Sequence, residues 1–199
     1  MPSQDPPSRE RLEPGSLDKA LADSFPASDP PSQTSPVMAT PSSAFISTDE
    51  SGELRIYRVI EPKQAAEPFA ATDTGARWTP AGTACVYASL SPATAILEFL
   101  VHLEGRTPKD LLLAVGAIRA ESVVSEINEP STWCKLPYRP EVQQVGKAWL
   151  ESGRSLAMRV PSAICRDECN VLINPGHAGF AGLQLLALRP LTIDERLRT

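Results

Sequence analysis

The sequence predicts an α+β fold for residues 54 to 199, a single domain with a mixed β core and few helices. Three observations predict it. Short apolar runs of β-like texture recur from Leu54 onward, each is bounded by Gly, Pro, Asn or Ser, and only two segments carry strong helical periodicity. Before the domain, residues 1 to 50 have a different character. The first 44 hold nine prolines and nine serines, with Phe25 the only aromatic. Such a segment cannot bury enough apolar surface to offset the entropy of ordering it, so it reads as a disordered, acidic, Pro/Ser-rich tail. Within it Ser16 precedes Leu17, Leu21 and Phe25 at i, i+4 and i+8. That spacing could serve a docking helix, but in so polar a segment it is read first as a transient turn that binds nothing.

Residues 54–60 alternate as a strand does, with Leu54, Ile56, Arg58 and Ile60 on one face. Further strands are predicted over residues 84–89, 111–118, 156–160, 171–173 and 183–188. The clearest helix starts at Ser91-Pro92, a capping residue followed by proline at the first helical position, and runs through Glu104 to Gly105. Most of its residues are apolar, which predicts burial. A second helix begins at Pro140, carries Val142, Val145, Trp149 and Leu150 at helical spacing, and ends near Gly153.

Charge is unevenly distributed along the 199 residues. Residues 1–54 carry three basic and nine acidic groups, net −6, whereas residues 55–199 carry sixteen basic and fifteen acidic, net +1. A near-neutral domain without a Lys/Arg run lacks the footprint of a nucleic-acid binder. No run approaches the ~18 apolar residues of a membrane span. The four cysteines, Cys85, Cys134, Cys165 and Cys169, are too few and too irregular for a disulfide framework, so a reducing, cytoplasmic setting is expected. The x3 spacing of Cys165 and Cys169 has no second pair to complete a zinc set, and no metal site is expected.

Thr94, Glu98 and His102 fall at i, i+4 and i+8 on the first helix. A carboxylate on so apolar an element must reach solvent, a partner or a ligand. It is either functional or half of an exposed Glu98/His102 pair, and periodicity supports the two equally. Arg58, among aliphatics, is either ion-paired structurally or reserved for an anion, and the strand pattern alone favours the ion pair. Arg77 lies in a glycine-flanked loop, Gly75 to Gly82, where backbone can approach a ligand or where the arginine can stack on Trp78. His177, in the turn-like Asn174-Pro175-Gly176-His177, reads as ordinary surface.

Taken together and in order, Tyr57-Arg58, Gly75-Ala76-Arg77-Trp78 with Gly82, Val86-Tyr87-Ala88-Ser89, Ala95-Ile96-Leu97-Glu98, Val160-Pro161-Ser162-Ala163, and Asn170 through His177 resemble the RES-domain family. The resemblance spans about residues 54 to 190, with Ala76 where the family commonly has a second glycine. It implies an ADP-ribosyltransferase-like fold and a toxin of a RES–Xre toxin–antitoxin pair, so that the partner is an Xre-like antitoxin in a hetero-oligomer. NAD is then a substrate rather than a cofactor, consumed by hydrolysis, phosphorolysis or transfer of ADP-ribose. By position, Glu98 resembles the family glutamate, Arg58 its first arginine, Arg77 the loop arginine, Tyr87 the tyrosine after the second strand and Ser162 the family serine. Glu98, Arg58 and Tyr87 are the implied catalytic residues, and Arg58, Arg77, Tyr87 and Ser162 the implied NAD contacts. A module that binds a nucleotide or partner without turnover is the alternative.

Overall fold

The computed structural model describes residues 52–197 apart from 104, 105, 107, 126 and 128. The tail, its Ser16–Phe25 pattern and the predicted helix end at Glu104 and Gly105 lie outside the described residues. Seven strands, β1 (Glu53–Ile60), β2 (Val86–Ser89), β3 (Leu112–Arg119), β4 (Val123–Val124), β5 (Ala157–Pro161), β6 (Cys169–Ile173) and β7 (Gln184–Pro190), form one sheet. Their order is β4-β5-β6-β2-β1-β3-β7. The β4–β5 pair is parallel and every other pair antiparallel, so the core is mixed as predicted. Six strands fall where the apolar runs put them. The seventh, β4, is two residues long and leaves no alternation to read.

One junction differs from the rest. β1 pairs with β3 along its whole length, from Glu53 opposite Arg119 to Ile60 opposite Leu112, but meets β2 at a single registered position, Tyr57 opposite Ser89. Two half-sheets, β4-β5-β6-β2 and β1-β3-β7, therefore share one narrow seam. One face buries Leu54, Ile56 and Ile60 with Val86, Ala114, Ile118 and Ile173. Close packing there leaves no room for a side chain at Gly116, where an added Cβ would lie 2.7 Å from the Phe69 ring.

Helix α1 (Pro92–Val101) bridges the seam, contacting both β1 and β2. Ser91 caps it, its Oγ accepting the Thr94 N–H at 3.2 Å, and Pro92 occupies the first helical position. The helix stops at Val101, short of the predicted end, and only Thr94 and Ala95 are buried. The apolar sequence overstates burial because α1 covers the sheet with one side, where Ala95, Ile96, Phe99 and Leu100 pack around Val59 and Leu111. Val101, on no such surface, is 56% exposed. Loss of the cap in Ser91→Ala is expected to lower stability by about 1 kcal/mol, read from the denaturant midpoint.

Helix α2 (Pro140–Ser152) ends as predicted, with Gly153 in the left-handed conformation at φ 57°. It buries Val142, Gly146 and Trp149 over Trp78, Met158, Val160 and Leu172. Gly146 rests directly on the Trp78 carbonyl, and an added Cβ would collide with that oxygen. No described helix is long and apolar enough to cross a membrane.

Candidate active site

A cavity of about 320 Å³ opens where β1 and β2 part, with Tyr57 and Arg58 on one strand and Tyr87 and Ser89 on the other. Its roof is α1, which contributes Glu98, with His102 just past the helix end. Of the two readings of Glu98, the exposed pair with His102 is not the one the structure contains. No Glu98/His102 ion pair forms. Instead, Glu98 Oε1 accepts hydrogen bonds from Ser162 Oγ at 2.9 Å and Asn170 Nδ2 at 2.5 Å. Both donors converge on one oxygen, which leaves Oε2 without a hydrogen bond from the described residues.

The loop after β5 gives Ser162 its direction. Fully buried, Ser162 accepts the N–H groups of Ile164 and Cys165 on Oγ at 3.2 and 3.3 Å, so its own proton is free to go to Glu98. It does not line the cavity wall itself; it reaches the cavity through Glu98.

Arg58 departs from the ion pair that the strand pattern favours. Among the described residues it has no carboxylate partner. Its Nη1 donates to the carbonyls of Ala70 at 2.8 Å and Pro68 at 3.4 Å, tying β1 to the following loop. Burial pushes its pKa below the ordinary guanidinium range, and the neighbouring Cys85 partly opposes this. Burial likewise pushes the Cys85 thiol up to about 12, so Cys85 is a neutral, packed side chain. A cation in a cavity wall with no anion beside it is an unused electrostatic resource. Tyr87 is also a neutral group, its pKa raised chiefly by burial although a hydrogen bond to Thr79 Oγ1 at 2.9 Å opposes the shift.

Arg77 is placed elsewhere. It does not line the cavity, and its Nη1 donates to the carbonyls of Trp133 at 2.9 Å and Lys135 at 3.2 Å. Its guanidinium lies 5.1 Å from the ring centroid of Tyr138, not over Trp78. Trp78 instead stacks on Trp133 with centroids 6.2 Å apart. The physical reason is reach: a loop arginine takes the nearest carbonyls without amide partners, and those belong to a segment more than fifty residues away. By gripping that segment Arg77 holds Tyr138, which does line the cavity.

Sequence reasoning did not single out Tyr138 or Asn170 as site residues. Asn170 lies 72 residues from Glu98 and enters only as the residue paired with Ser89 across β2 and β6, for which no spacing rule exists. His177 serves locally, Nδ1 accepting the Gly179 N–H at 3.0 Å. All four cysteines are free, and among the described residues no three His, Cys, Asp or Glu side chains gather as a metal site.

Comparison with known proteins bears on this arrangement. A family model described as RES domain matches residues 55–194. The chain is 35% identical over 130 residues to the "Prs ADP-ribosylating toxin" of Sphingobium sp. (strain YBL2), covering 62% of this chain and 81% of that protein. It is 30% identical over 153 residues to "Toxin Res" of Yersinia enterocolitica, covering 73% of this chain and all of that protein. Among solved structures, the Mycobacterium tuberculosis MbcT–MbcA toxin–antitoxin complex contains a chain that aligns with a TM-score of 0.56 at 16% identity, over 73% of this chain and 89% of that one. That last likeness concerns the fold.

Proposed function

The chain belongs to the RES-domain family, and on that premise we propose that it is an NAD-consuming toxin that cleaves the nicotinamide–ribose bond. The observation that carries this reading is the Glu98 carboxylate, clamped through Oε1 on the wall of a cavity that also holds the unpaired cation Arg58. As the bond to nicotinamide lengthens, positive charge develops on the ribose ring. An ionised carboxylate beside that ring stabilises the charge and can orient the attacking acceptor. The bond electrons leave with nicotinamide, the acceptor oxygen closes onto the ribose carbon, and the O–H proton of a water acceptor passes to solvent.

Arg58 would take the pyrophosphate, since its Nη1 alone is engaged with backbone carbonyls. Tyr87, neutral and lining the cavity, would pack on nicotinamide or ribose. The cavity is near the lower end of the ~300–1,000 Å³ range of small-molecule pockets, which suits the nicotinamide riboside half of the dinucleotide, with the remainder at the mouth. Arg77 is omitted from substrate contact because it does not line the cavity.

Arg58→Lys keeps a charge but loses the fork, and is expected to raise KM for NAD about tenfold or more with a smaller change in kcat. Steady-state nicotinamide release checks it; an unchanged KM removes Arg58 from the pyrophosphate site. The general test is nicotinamide release from NAD by the purified chain, with and without inorganic phosphate. Phosphate dependence means phosphorolysis, phosphate independence means hydrolysis, and no release by either route refutes both.

A second reading, transfer of ADP-ribose to a macromolecule, is favoured by the name of the Sphingobium relative. The cavity would be the same and the acceptor different. Transfer of label from adenine-labelled NAD onto lysate proteins separates it from simple cleavage. An antitoxin partner, of Xre type, is part of the proposal, supported by the structural relative being a toxin–antitoxin complex.

A further inference from the structure

We propose that Asn170 and Ser89 are positioning residues for Glu98, with Ser89 pinning the far end of the Asn170 amide so that Oε2 is the oxygen presented to the substrate. The inference rests on the NAD-cleaving reading and specifies how the carboxylate is aimed.

An asparagine side chain offers an acceptor at one end and donors at the other, and only its partners decide which way round it sits. Here the carboxylate of Glu98, which only accepts, decides it, and the Ser89 hydroxyl holds the other end. Ser89 Oγ donates to Asn170 Oδ1 at 2.7 Å, while Nδ2 faces Glu98 Oε1. A flipped amide would bring Oδ1 against the carboxylate, acceptor facing acceptor, and without Ser89 the correctly turned amide would lose the contact that holds it in place. Ser89 is itself immobilised. It is 3% exposed, and it lies opposite Asn170 in the β2–β6 ladder and opposite Tyr57 at the only β1–β2 pair. The relay Ser89, Asn170, Glu98 thus runs along the cavity wall, from the registered β1–β2 pair to the carboxylate.

Ser162 alone could let the carboxyl swing about the Cδ axis, since one hydrogen bond fixes a distance but not a plane. A second donor on the same oxygen from a different strand removes that freedom. The relevant alternative is that Asn170, which lines the cavity, binds substrate directly.

The test is a kinetic comparison of wild type, Asn170→Ala and Ser89→Ala, each also in a Glu98→Gln background, with NAD affinity measured separately by calorimetry. Asn170→Ala is expected to lower kcat by roughly 10- to 100-fold, the usual cost of misplacing a reacting group by about an ångström, with KM and Kd within about threefold of wild type. Ser89→Ala is expected to lower kcat several-fold in the same manner, and it carries the test if Asn170→Ala does not fold. In the Glu98→Gln background neither substitution is expected to reduce the residual rate further. A rise in KM with kcat intact, or the same fold-loss in both backgrounds, overturns the proposal in favour of direct substrate contact or a purely structural role. One readout needs no NAD. In 15N-labelled protein the Asn170 side-chain amide resonances are expected to move in both Glu98→Ala and Ser89→Ala. If wild type releases no nicotinamide, the cleavage reading fails, while unmoved amide resonances would separately overturn the relay.

Discussion

Glu98→Gln is expected to reduce nicotinamide release by roughly 10²- to 10⁴-fold while the protein still folds. Glutamine keeps the shape of the side chain, and its carbonyl oxygen can still accept from Ser162 and Asn170 in the place of Oε1. What disappears is the negative charge and the second acceptor oxygen. The fold is spared because no ion pair is broken, and the hydrogen bonds that hold the residue survive. The reaction is not spared, because the developing ribose cation then faces a neutral amide. Nicotinamide release beside a thermal melt checks both halves. Undiminished release from a folded variant would falsify the mechanism, and loss of release with loss of folding would call for Glu98→Ala and Glu98→Asp as replacements.

Gly146→Ala is expected to destabilise the domain by about 3 kcal/mol, against the ordinary trend. In an exposed helix interior the same change stabilises by about 1 kcal/mol through helix propensity. Here the added methyl group has nowhere to go. Gly146 lies mid-way along α2 with the Trp78 carbonyl directly on it, and Thr79 follows at 3.4 Å. Backbone on backbone cannot rotate away as a flexible side chain can. The approach is fixed by Gln143, one turn earlier, whose Nε2 donates to the Ala76 carbonyl at 2.9 Å. Moving α2 outward would break that bond and displace Thr79, the hydrogen-bond partner of Tyr87. Denaturant unfolding gives the size of the effect, and a stability equal to or above wild type would show that the loop yields.

Much of the architecture was readable because it depends on periodicities that act locally. Alternation placed β1 and the apolar runs placed five more strands; Ser91-Pro92 and Gly153 marked the ends of helices for the capping reasons that hold generally. Glu98 and Arg58 were conspicuous as charges on apolar elements, and both line the cavity. Interactions between distant segments were not readable. Arg77 resembled an anion ligand, yet its partners Trp133, Lys135 and Tyr138 come from a stretch that nothing in the sequence connects to it. Asn170 stood just outside the predicted strand 171–173, at the head of a motif with no role attached to it, until the β2–β6 register set it beside Ser89. The burial of α1 was overestimated because composition reports how apolar a helix is, not how many of its sides are covered.

The narrow seam between the half-sheets also has a thermodynamic consequence. A molecule lodged in the cavity lies between Tyr57 and Arg58 on one half and Tyr87 on the other, so it acts as a cross-tie where the ladder of backbone hydrogen bonds is thinnest. Any ligand that requires both halves in place binds the folded chain and not the unfolded one, and at a hundred times its Kd adds about 2.7 kcal/mol to stability. Occupancy of the site and cohesion of the sheet are therefore one equilibrium, and the melting temperature is expected to rise with the concentration of any such ligand.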